Sequence, residues 1–318
     1  DGDYGKETRS TLQRSRSPDS VVGGGAVCWK IVDGEVRILM VHRKQHKDIS
    51  LPKGKCDPGE TVPETAQRES LEETGLHITL GAYLGRVDYL LPSKKPKEVH
   101  YWAAEVDPGE AERAPFESND EIYALEWVSL KKAPKRLTYE HDADIVENFQ
   151  SLFDSGRART FPLILLRHAK AMPAENWDGP DHTRPLLHKG LTQAKNIAGG
   201  VMSFAPELVV SSPAARCQAT IQPLLALAEL TVKTSKSISQ DDYDSHGKKA
   251  SAAVEKRVTT RTPTVLCSHG PVLPQLVMAA AEIGHGGSSK ALQKAASLSV
   301  GSFSVIHFAR DTDSPQIV

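Results

Sequence analysis

The chain of 318 residues is poor in cysteine, and its four cysteines lie far apart without a C-x-x-C pair. This spacing supports neither a zinc site nor a disulfide framework. The sequence also lacks an apolar run long enough to cross a bilayer. We therefore expect a reduced, cytoplasmic protein without a membrane partner.

A large net charge is absent as well, because 39 Lys and Arg residues nearly cancel 40 Asp and Glu residues. Such a chain has no general positive field for a nucleic-acid backbone, so any charge that binds phosphate must be local. This argues against a nucleic-acid polymer as partner and favours a small anionic substrate.

The length of the chain indicates two domains of ordinary size. Residues 1–20 are rich in Ser, Arg, Asp and Thr, and we expect them to form a flexible tail. The apolar runs that follow predict a mixed α+β domain at 21–155, a linker at 156–161 and an α/β domain at 162–318.

Local patterns predict the elements of both domains. In the first, Asp33-Gly34 predicts a hairpin turn, and a Gly/Pro-rich loop at 51–59 leads into a helix that stops at Gly75. Its predicted strands lie at 21–31, 36–42, 80–89, 99–106 and 122–128, and its helices at 62–74 and 139–153. In the second domain, short strands mostly separated by helical segments indicate a mostly parallel sheet. These strands are predicted at 162–166, 207–210, 231–233, 265–267 and 303–308.

Three carboxylates share one face of the helix at 62–74, because Glu69, Glu72 and Glu73 stand at i, i+3 and i+4. Like charges this close repel each other, whereas Mg²⁺ prefers oxygen ligands and bridges them to substrate phosphates. Arg68 can pair with a carboxylate and hold its rotamer. The alternative is a solvated acidic helix, which would not need the arginine and glycines found at fixed spacing here.

The loop and the helix together resemble the Nudix signature G-x5-E-x7-R-E-U-x-E-E-x-G-U. The matching positions are Gly54, Glu60, Arg68, Glu69, Glu72, Glu73, Gly75 and Leu76. Ser70 departs from the apolar residue usual at its position. The resemblance implies a Nudix fold, in which a mixed sheet carries the catalytic helix, and an enzyme that hydrolyses phosphoanhydride bonds by water attack on phosphorus. It implies Mg²⁺ as cofactor, with Mn²⁺ able to substitute. The metal ligands it implies are Glu69, Glu72, Glu73 and the carbonyl group of Gly54.

Further motifs are similar to Nudix enzymes that act on diadenosine polyphosphates, diphosphoinositols and oxidised guanine nucleotides. The run at 51–55 places Lys53 and Lys55 where phosphate oxygens could be held. The run at 119–122 resembles the loop that supplies another glutamate, so Glu121 is predicted to be a metal ligand or general base, with a plain surface loop as the alternative. Additional candidates for phosphate or base contact, each with an ordinary surface or sheet residue as the alternative, are Arg43, Lys97 and Tyr101.

Polar residues follow three predicted strands of the second domain. Arg167-His168 ends the first strand, Ser212-Pro213 with Arg216 follows the next, and His269-Gly270 follows a third. Ligands sit outside the carboxyl ends of strands in open α/β sheets, so these residues could share one pocket. One histidine can attack phosphorus, while the arginines match phosphate oxygens. A buried, hydrogen-bonded histidine is the alternative for an isolated Arg-His pair.

The three motifs in this order resemble the histidine phosphatase superfamily, and most of all its SixA-like branch, although Ala169 replaces the usual glycine. The resemblance implies a mostly parallel sheet flanked by helices. The catalytic and phosphate-binding residues it implies are His168, His269, Arg167 and Arg216. Asp241 lies in the segment 239–243, where such domains often place an acid, and is our candidate for the general acid.

The order of the two domains resembles the MutT-like fusion proteins of actinobacteria. That resemblance implies sanitisation of 8-oxo-GTP and 8-oxo-dGTP to the diphosphate, and hydrolysis of diadenosine polyphosphates. Two alternatives stay open: a phosphohistidine protein phosphatase with a nucleotide-sensing Nudix domain, and a diphosphoinositol phosphohydrolase whose degenerate phosphatase domain serves for binding. Contacts between the two domain types could also support self-association.

Overall fold

A computed structural model describes residues 20–242, 244 and 246–318 of the protein. The predicted tail at 1–20 lies outside the described residues except for its last position. The described chain divides into two compact units, with the border between Arg159 and Thr160. This border falls within the predicted linker. None of the helices in the described part of the chain is long and apolar enough to span a membrane.

The first unit is built around one mixed sheet. Its elements are β1 Val21–Val32, β2 Glu35–Arg43, β3 Asp48–Ser50, β4 Lys53–Lys55, α1 Val62–Thr74, β5 Tyr83–Leu90, β6 Pro96–Glu105, α2 Pro108–Arg113, β7 Ile122–Ser129, α3 Ala133–Arg136 and α4 Glu140–Asp154. The strand order is β3-β2-β1-β6-β5, with β4 paired to β1 and β7 paired to β2. β1 and β6 are parallel, and the other pairs are antiparallel. The predicted α+β architecture is confirmed.

One part of the predicted loop at 51–59 is wrong, because Lys53–Lys55 forms β4 and pairs with residues 23–25 of β1. Those three positions are glycines, and they allow an unusually close approach. A Cβ atom on Gly24 would lie 2.6 Å from the carbonyl oxygen of Val62, and one on Gly25 would lie 2.6 Å from that of Pro52. The glycine run therefore allows Pro52, just before β4, and the first turn of α1 to pack directly against the backbone of β1.

Helix α1 begins and ends as predicted. The hydroxyl of Thr61 accepts a hydrogen bond from the backbone N–H of Glu64, which satisfies a free donor of the first turn. Gly75 ends the helix with φ of 77°, a left-handed conformation that favours glycine, and its N–H bonds to the carbonyl oxygen of Leu71. Both ends of the carboxylate-bearing segment are thus fixed locally.

The opposite face of the sheet is covered by α4, whose residues Ile145, Val146 and Phe149 are buried in the core of this unit. Phe149 packs against Trp29 of β1 with ring centroids 5.3 Å apart. The sheet is therefore held between α1 and α4.

The second unit is an α/β domain. Its helices and strands are β8 Thr160–Arg167, α5 His188–Met202, β9 Leu208–Ser211, α6 Ala215–Leu227, β10 Thr231–Thr234, α7 Lys248–Thr260, β11 Thr264–Ser268, α8 Leu273–Ile283, α9 Lys290–Ala296 and β12 Phe303–Ala309. The strand order is β10-β9-β11-β8-β12, and only β12 pairs in antiparallel fashion. The predicted mostly parallel sheet is confirmed. β9, β11 and β8 are neighbours, so the three motif-bearing strand ends meet at one edge.

Replacing Gly24 by alanine tests whether close approach at β1 positions α1. The added methyl group would meet backbone atoms that cannot move aside. We therefore expect the free energy of unfolding, measured by urea titration, to fall by about 1–3 kcal/mol. Gly34→Ala is the matched control, because its Cβ would meet nothing within 4 Å and only its positive φ costs stability, about 1 kcal/mol at the lower end of the cost of a left-handed conformation. Equal losses for the two variants would contradict the packing argument.

Candidate active sites

Arg68 connects the carboxylates of α1 to the loop before the helix. Its guanidinium donates to both carboxylate oxygens of Glu60, at 2.7 and 2.9 Å, and to the carbonyl oxygen of Lys55 at 3.0 Å. It also donates to Glu69 at 2.9 Å and to Glu72 at 3.1 Å. The hydrogen bond to Glu60 contributes most to raising the pKa of Arg68. Arg68 therefore stays charged and, anchored by Glu60, holds Glu69 and Glu72 in place.

The three carboxylates differ in exposure. Glu72 is exposed, Glu69 is half-buried and Glu73 is buried. Burial, opposed by Lys53 and reinforced by Glu69 and Glu121, raises the pKa of Glu73 to about 8. Burial also raises the pKa of Glu69, against the opposing charge of Arg68 and with help from Glu72 and Glu121. Neighbouring glutamates are therefore close enough to destabilise the charged forms of Glu69 and Glu73.

Among the described residues, no group of three or more His, Cys, Asp or Glu side chains stands in metal-binding geometry. The glutamates of α1 instead have cationic or N–H partners. Glu69 and Glu72 bind Arg68, and Glu73 accepts a hydrogen bond of 3.2 Å from the backbone N–H of Lys53. The spacing of these residues brings like charges together, but it does not by itself create a coordination shell.

Gly54 lies directly beneath Glu69. A Cβ atom built on Gly54 would stand 2.0 Å from the carboxyl carbon of Glu69 and 2.3 Å from its Oε1. Only glycine leaves room for this carboxylate against β4. The predicted ligand positions Gly54 and Glu69 are therefore in direct contact.

The predicted loop glutamate is also brought to this region. Glu121 is exposed, its N–H donates to the side chain of Asn119 at 2.9 Å, and its carbonyl oxygen accepts from Lys44 at 2.8 Å. Its negative charge contributes to the raised pKa of both Glu69 and Glu73. The loop is thus anchored by its backbone hydrogen bonds, and the carboxylate of Glu121 is close enough for its charge to act on Glu69 and Glu73.

Cations predicted to contact phosphate gather beside these carboxylates. Burial, followed by repulsion from Lys53, Arg43 and Lys55, lowers the pKa of Lys97 to about 8, while Glu69 opposes that shift. Burial and then Arg43 lower the pKa of Lys53. Lys55 is exposed. The charges of Lys53, Arg43 and Lys55 thus act on Lys97, and together these four side chains concentrate positive charge that favours a polyanion.

Two of the additional candidates have partners of their own. Arg43 binds the carboxylate of Asp48 through Nε at 2.7 Å and through Nη2, so part of its donor capacity is used. Tyr101 is 1% exposed, and its hydroxyl lies 3.5 Å from Asp142. A direct base contact by Tyr101 is not supported, because the ring belongs to the core that packs against α4.

An aromatic stack next to these cations escaped the sequence reasoning. His141 stacks on Tyr89 at 5.2 Å and on Tyr139 at 5.1 Å, with interplanar angles of 9° and 8°. The ammonium of Lys97 lies 5.7 Å from the centre of the Tyr89 ring. Tyr139 and His141 lie within the predicted helix at 139–153, but nothing in their spacing pointed to Tyr89.

In the second unit, His168 is buried and held in one tautomer. Its Nδ1 lies 2.8 Å from the carbonyl oxygen of Ala169. A carbonyl oxygen only accepts, so Nδ1 carries the proton and Nε2 keeps its lone pair. Burial, partly offset by this hydrogen bond and reinforced by the charges of nearby residues, lowers the pKa of His168 to about 3. The ring is therefore neutral and able to act as a nucleophile near pH 7.

The other predicted residues of this site surround His168. The His269 ring lies 5.4 Å from the His168 ring, and its Nε2 is 2.8 Å from the hydroxyl of Ser212. Arg167 donates to the carbonyl oxygen of Leu298 at 2.7 Å. The structure thus assembles the residues from the three strand ends at one edge of the sheet.

Three buried nitrogens of these residues lack hydrogen-bond partners within the described part of the chain. They are Nε of Arg167, Nε of Arg216 and Nδ1 of His269. A buried donor without a partner costs about 1–3 kcal/mol, so three unpartnered nitrogens in one cluster favour a site that a ligand completes. A phosphoryl group, with its several acceptor oxygens, suits such a cluster.

The predicted acid, Asp241, gains no support from a contact with either histidine. Its side chain is exposed, and its carboxylate lies 4.0 Å from Nδ1 of His182. Asp181 was not predicted, yet it binds Arg216. The only sequence signal for Asp181 is its position three residues before Arg184, in a turn rather than at a strand end.

Gly54→Ala tests the contact between β4 and Glu69. The methyl group would displace this carboxylate, and we expect the hydrolysis predicted for this site to fall about 100-fold, the cost of misplacing a catalytic group by roughly 1 Å. Initial rates of nucleotide hydrolysis measure the effect. In a Glu69→Gln background the same substitution should add almost nothing, because both changes act through one side chain. Additive losses would contradict this explanation.

Burial of a neutral His168 predicts loss of stability in acid. Between pH 6.5, the ordinary pKa of histidine, and pH 3 the unfolded chain binds a proton that the folded chain does not. The free energy of unfolding therefore falls as the pH falls through this range, by up to about 1.4 kcal/mol per pH unit. In urea titrations between pH 7 and pH 4, His168→Gln should show a slope smaller by this amount. Parallel pH profiles for the two proteins would refute it.

Comparison with known proteins matches both units to protein families. The NUDIX domain model matches residues 23–149, and the model of the histidine phosphatase superfamily (branch 1) matches residues 163–243. The 8-oxo-(d)GTP phosphatase of Mycolicibacterium smegmatis is 31% identical over 279 residues, which cover 85% of this chain and 83% of that protein.

Two further similarities concern part of the chain. The asymmetrical bis(5'-nucleosyl)-tetraphosphatase of Rattus norvegicus is 38% identical over 106 residues, covering 32% of this chain and 69% of that protein. The crystal structure of a C. elegans Ap4A hydrolase binary complex is 24% identical, with a TM-score of 0.39 and coverage of 42% of this chain and 98% of that chain.

The two family models match the two folds described above, and the M. smegmatis relative aligns across both of them. The chain therefore belongs to the same family as that phosphatase and is a Nudix hydrolase in which a histidine phosphatase domain follows the Nudix domain.

Proposed function

We propose that the Nudix domain hydrolyses nucleoside polyphosphates, converting 8-oxo-GTP and 8-oxo-dGTP to the diphosphate and also cutting diadenosine polyphosphates. The observation that carries this proposal is the meeting of carboxylates and cations in one corner, where Glu69 and Glu73 of α1 interact electrostatically with Lys53 and Lys97. Relatives support the substrate class, since one is named for 8-oxo-(d)GTP and another for bis(5'-nucleosyl) tetraphosphates.

The donor set fits a hard divalent cation. Glu69 and Glu73, whose pKa values are raised by burial and by the charges of neighbouring glutamates, gain when a cation is shared between them. Mg²⁺, or Mn²⁺ in its place, would be held by Glu69, Glu72, Glu73, Glu121 and the carbonyl group of Gly54. When bound, such an ion would neutralise charge on the phosphate oxygens and make the attacking water more acidic.

The chain's own cations and rings bind and orient the substrate. Lys53, Lys55 and Lys97 supply positive charge to the phosphate chain, and their mutual repulsion is relieved when an anion enters. The stack of Tyr89, His141 and Tyr139 stands beside Lys97 and offers flat faces to a nucleobase. Arg68 keeps Glu69 in position throughout, since Glu60 fixes the other side of its guanidinium.

We further propose that the second domain transfers a phosphoryl group to His168. Nε2 of His168 would attack phosphorus and form an N–P bond as the bond to the leaving oxygen breaks, and water would then cleave the N–P bond to release phosphate. The free Nε–H donors of Arg167 and Arg216 would bind the phosphoryl oxygens, and Nδ1 of His269 would do so in the tautomer that carries its proton. The three unpartnered buried nitrogens favour this second activity.

The two sites are separated by single substitutions in the full chain. With Mg²⁺ and 8-oxo-dGTP, Glu69→Gln should lower hydrolysis at least about 100-fold. Loss of a residue that only orients a metal ligand costs up to about 100-fold, and loss of a ligand itself should cost no less. His168→Ala should leave that rate near the wild-type value. Anion-exchange analysis of the products measures both rates and distinguishes diphosphate from monophosphate.

Two results would contradict these assignments. Undiminished nucleotide hydrolysis by Glu69→Gln would show that the α1 carboxylates do not carry the reaction. Loss of nucleotide hydrolysis in His168→Ala alone would assign the chemistry to the phosphatase domain and favour a nucleotide-sensing Nudix domain.

A further inference from the structure

Arg216 is 1% exposed, and a buried guanidinium needs partners for its donors. Its Nη1 donates to the carbonyl oxygen of Asp181 at 3.0 Å, and its Nη2 donates to the carboxylate of the same residue at 3.1 Å. Gln240 accepts a further bond from Nη2 at 3.3 Å. A single residue, Asp181, thus holds both terminal nitrogens of Arg216.

Asp181 is itself fixed by the loop that carries it. Its second carboxylate oxygen accepts a hydrogen bond from Nε of Arg184 at 3.1 Å. Arg184 in turn donates to the carbonyl oxygen of Met172 at 2.6 Å. The carboxylate therefore bridges two arginines, one anchored to the loop and one buried at the strand-end site.

The engaged nitrogens leave a defined donor on Arg216. Nη1 and Nη2 both bond to Asp181, and Nη2 also bonds to Gln240, whereas Nε is buried without a partner within the described chain. Nε of Arg167 has the same status. Without the Asp181 carboxylate, the long Arg216 side chain would lose a charge-assisted bond and could adopt other rotamers.

We propose that Asp181 is a positioning residue of the phosphatase site, which holds the guanidinium of Arg216 so that its Nε–H is presented to the phosphoryl group. This inference rests on the phosphatase function proposed for the second domain. Asp181 acts through Arg216 and does not contact the reacting atoms.

The alternative role of Asp181, general acid, requires a carboxylic acid proton. Partial burial acts to raise the pKa of Asp181, but the charges of Arg216 and Arg184 outweigh it and hold this pKa below its usual range. The side chain is therefore ionised near pH 7 and carries no proton to donate. Its charge serves to fix Arg216 instead.

The experiment uses the full chain in EDTA, with para-nitrophenyl phosphate as substrate and inorganic phosphate as competitive inhibitor. His168→Ala defines the turnover that belongs to this site. In Asp181→Asn and Asp181→Ala we expect KM and the inhibition constant of phosphate to rise about tenfold, while kcat changes less than about threefold. Asp181→Glu should recover part of the loss. Asp178→Asn, an exposed residue of the same loop, is the matched control.

Unchanged KM and inhibition constants in Asp181→Asn and Asp181→Ala would overturn the inference while leaving the proposed function intact. A selective fall in kcat for phenyl phosphate, a poorer leaving group, with unchanged phosphate inhibition would also overturn it and identify Asp181 as the acid. If His168→Ala turns over para-nitrophenyl phosphate as fast as the wild-type chain, no activity belongs to this site. That result would refute the proposed phosphatase function, and the inference with it.

Discussion

The repulsion between carboxylates crowded on one turn of α1 is the constraint on which the Nudix domain depends. Folding tolerates it because Arg68 binds Glu69 and Glu72 while the loop N–H of Lys53 binds Glu73. The contact with Lys53 requires β4 to lie against the helix. The glycines at 23–25 and Gly54 remove the side chains that would keep them apart. The fold therefore maintains a concentration of negative charge that a divalent cation and a polyphosphate can use together.

The phosphatase domain solves a related problem with neutral and positive groups. Its parallel strands deliver His168, Arg167 and His269 to one edge, where burial keeps His168 neutral. Several buried nitrogens remain without partners in the described chain, which costs stability at the site proposed to bind a phosphoryl group. Both domains thus hold unfavourable electrostatics at their proposed sites, as crowded carboxylates in the first and as unpartnered buried nitrogens in the second.

Sequence alone was sufficient where the relevant residues are close in the chain. The spacing on α1 and its stop at Gly75 follow from helical periodicity and backbone preferences, and the structure contains them. Pairing of Lys53–Lys55 with β1 was missed, because a strand of three residues leaves no periodic pattern. Contacts such as Arg216 with Asp181 join residues 35 positions apart through a turn. Local patterns do not encode such contacts, and for the same reason they do not show that Asp241 is exposed and lies beside His182.

Divalent-ion binding by the intact chain tests the central claim most directly. Electron paramagnetic resonance of Mn²⁺ titrated into the wild-type protein should show bound ion, and Glu73→Gln should lose most of that binding while retaining the folded state by circular dichroism. Ion binding of equal affinity in both proteins would contradict the claim that the crowded carboxylates of α1 exist to hold a metal. Absence of binding to the wild-type chain would contradict it equally.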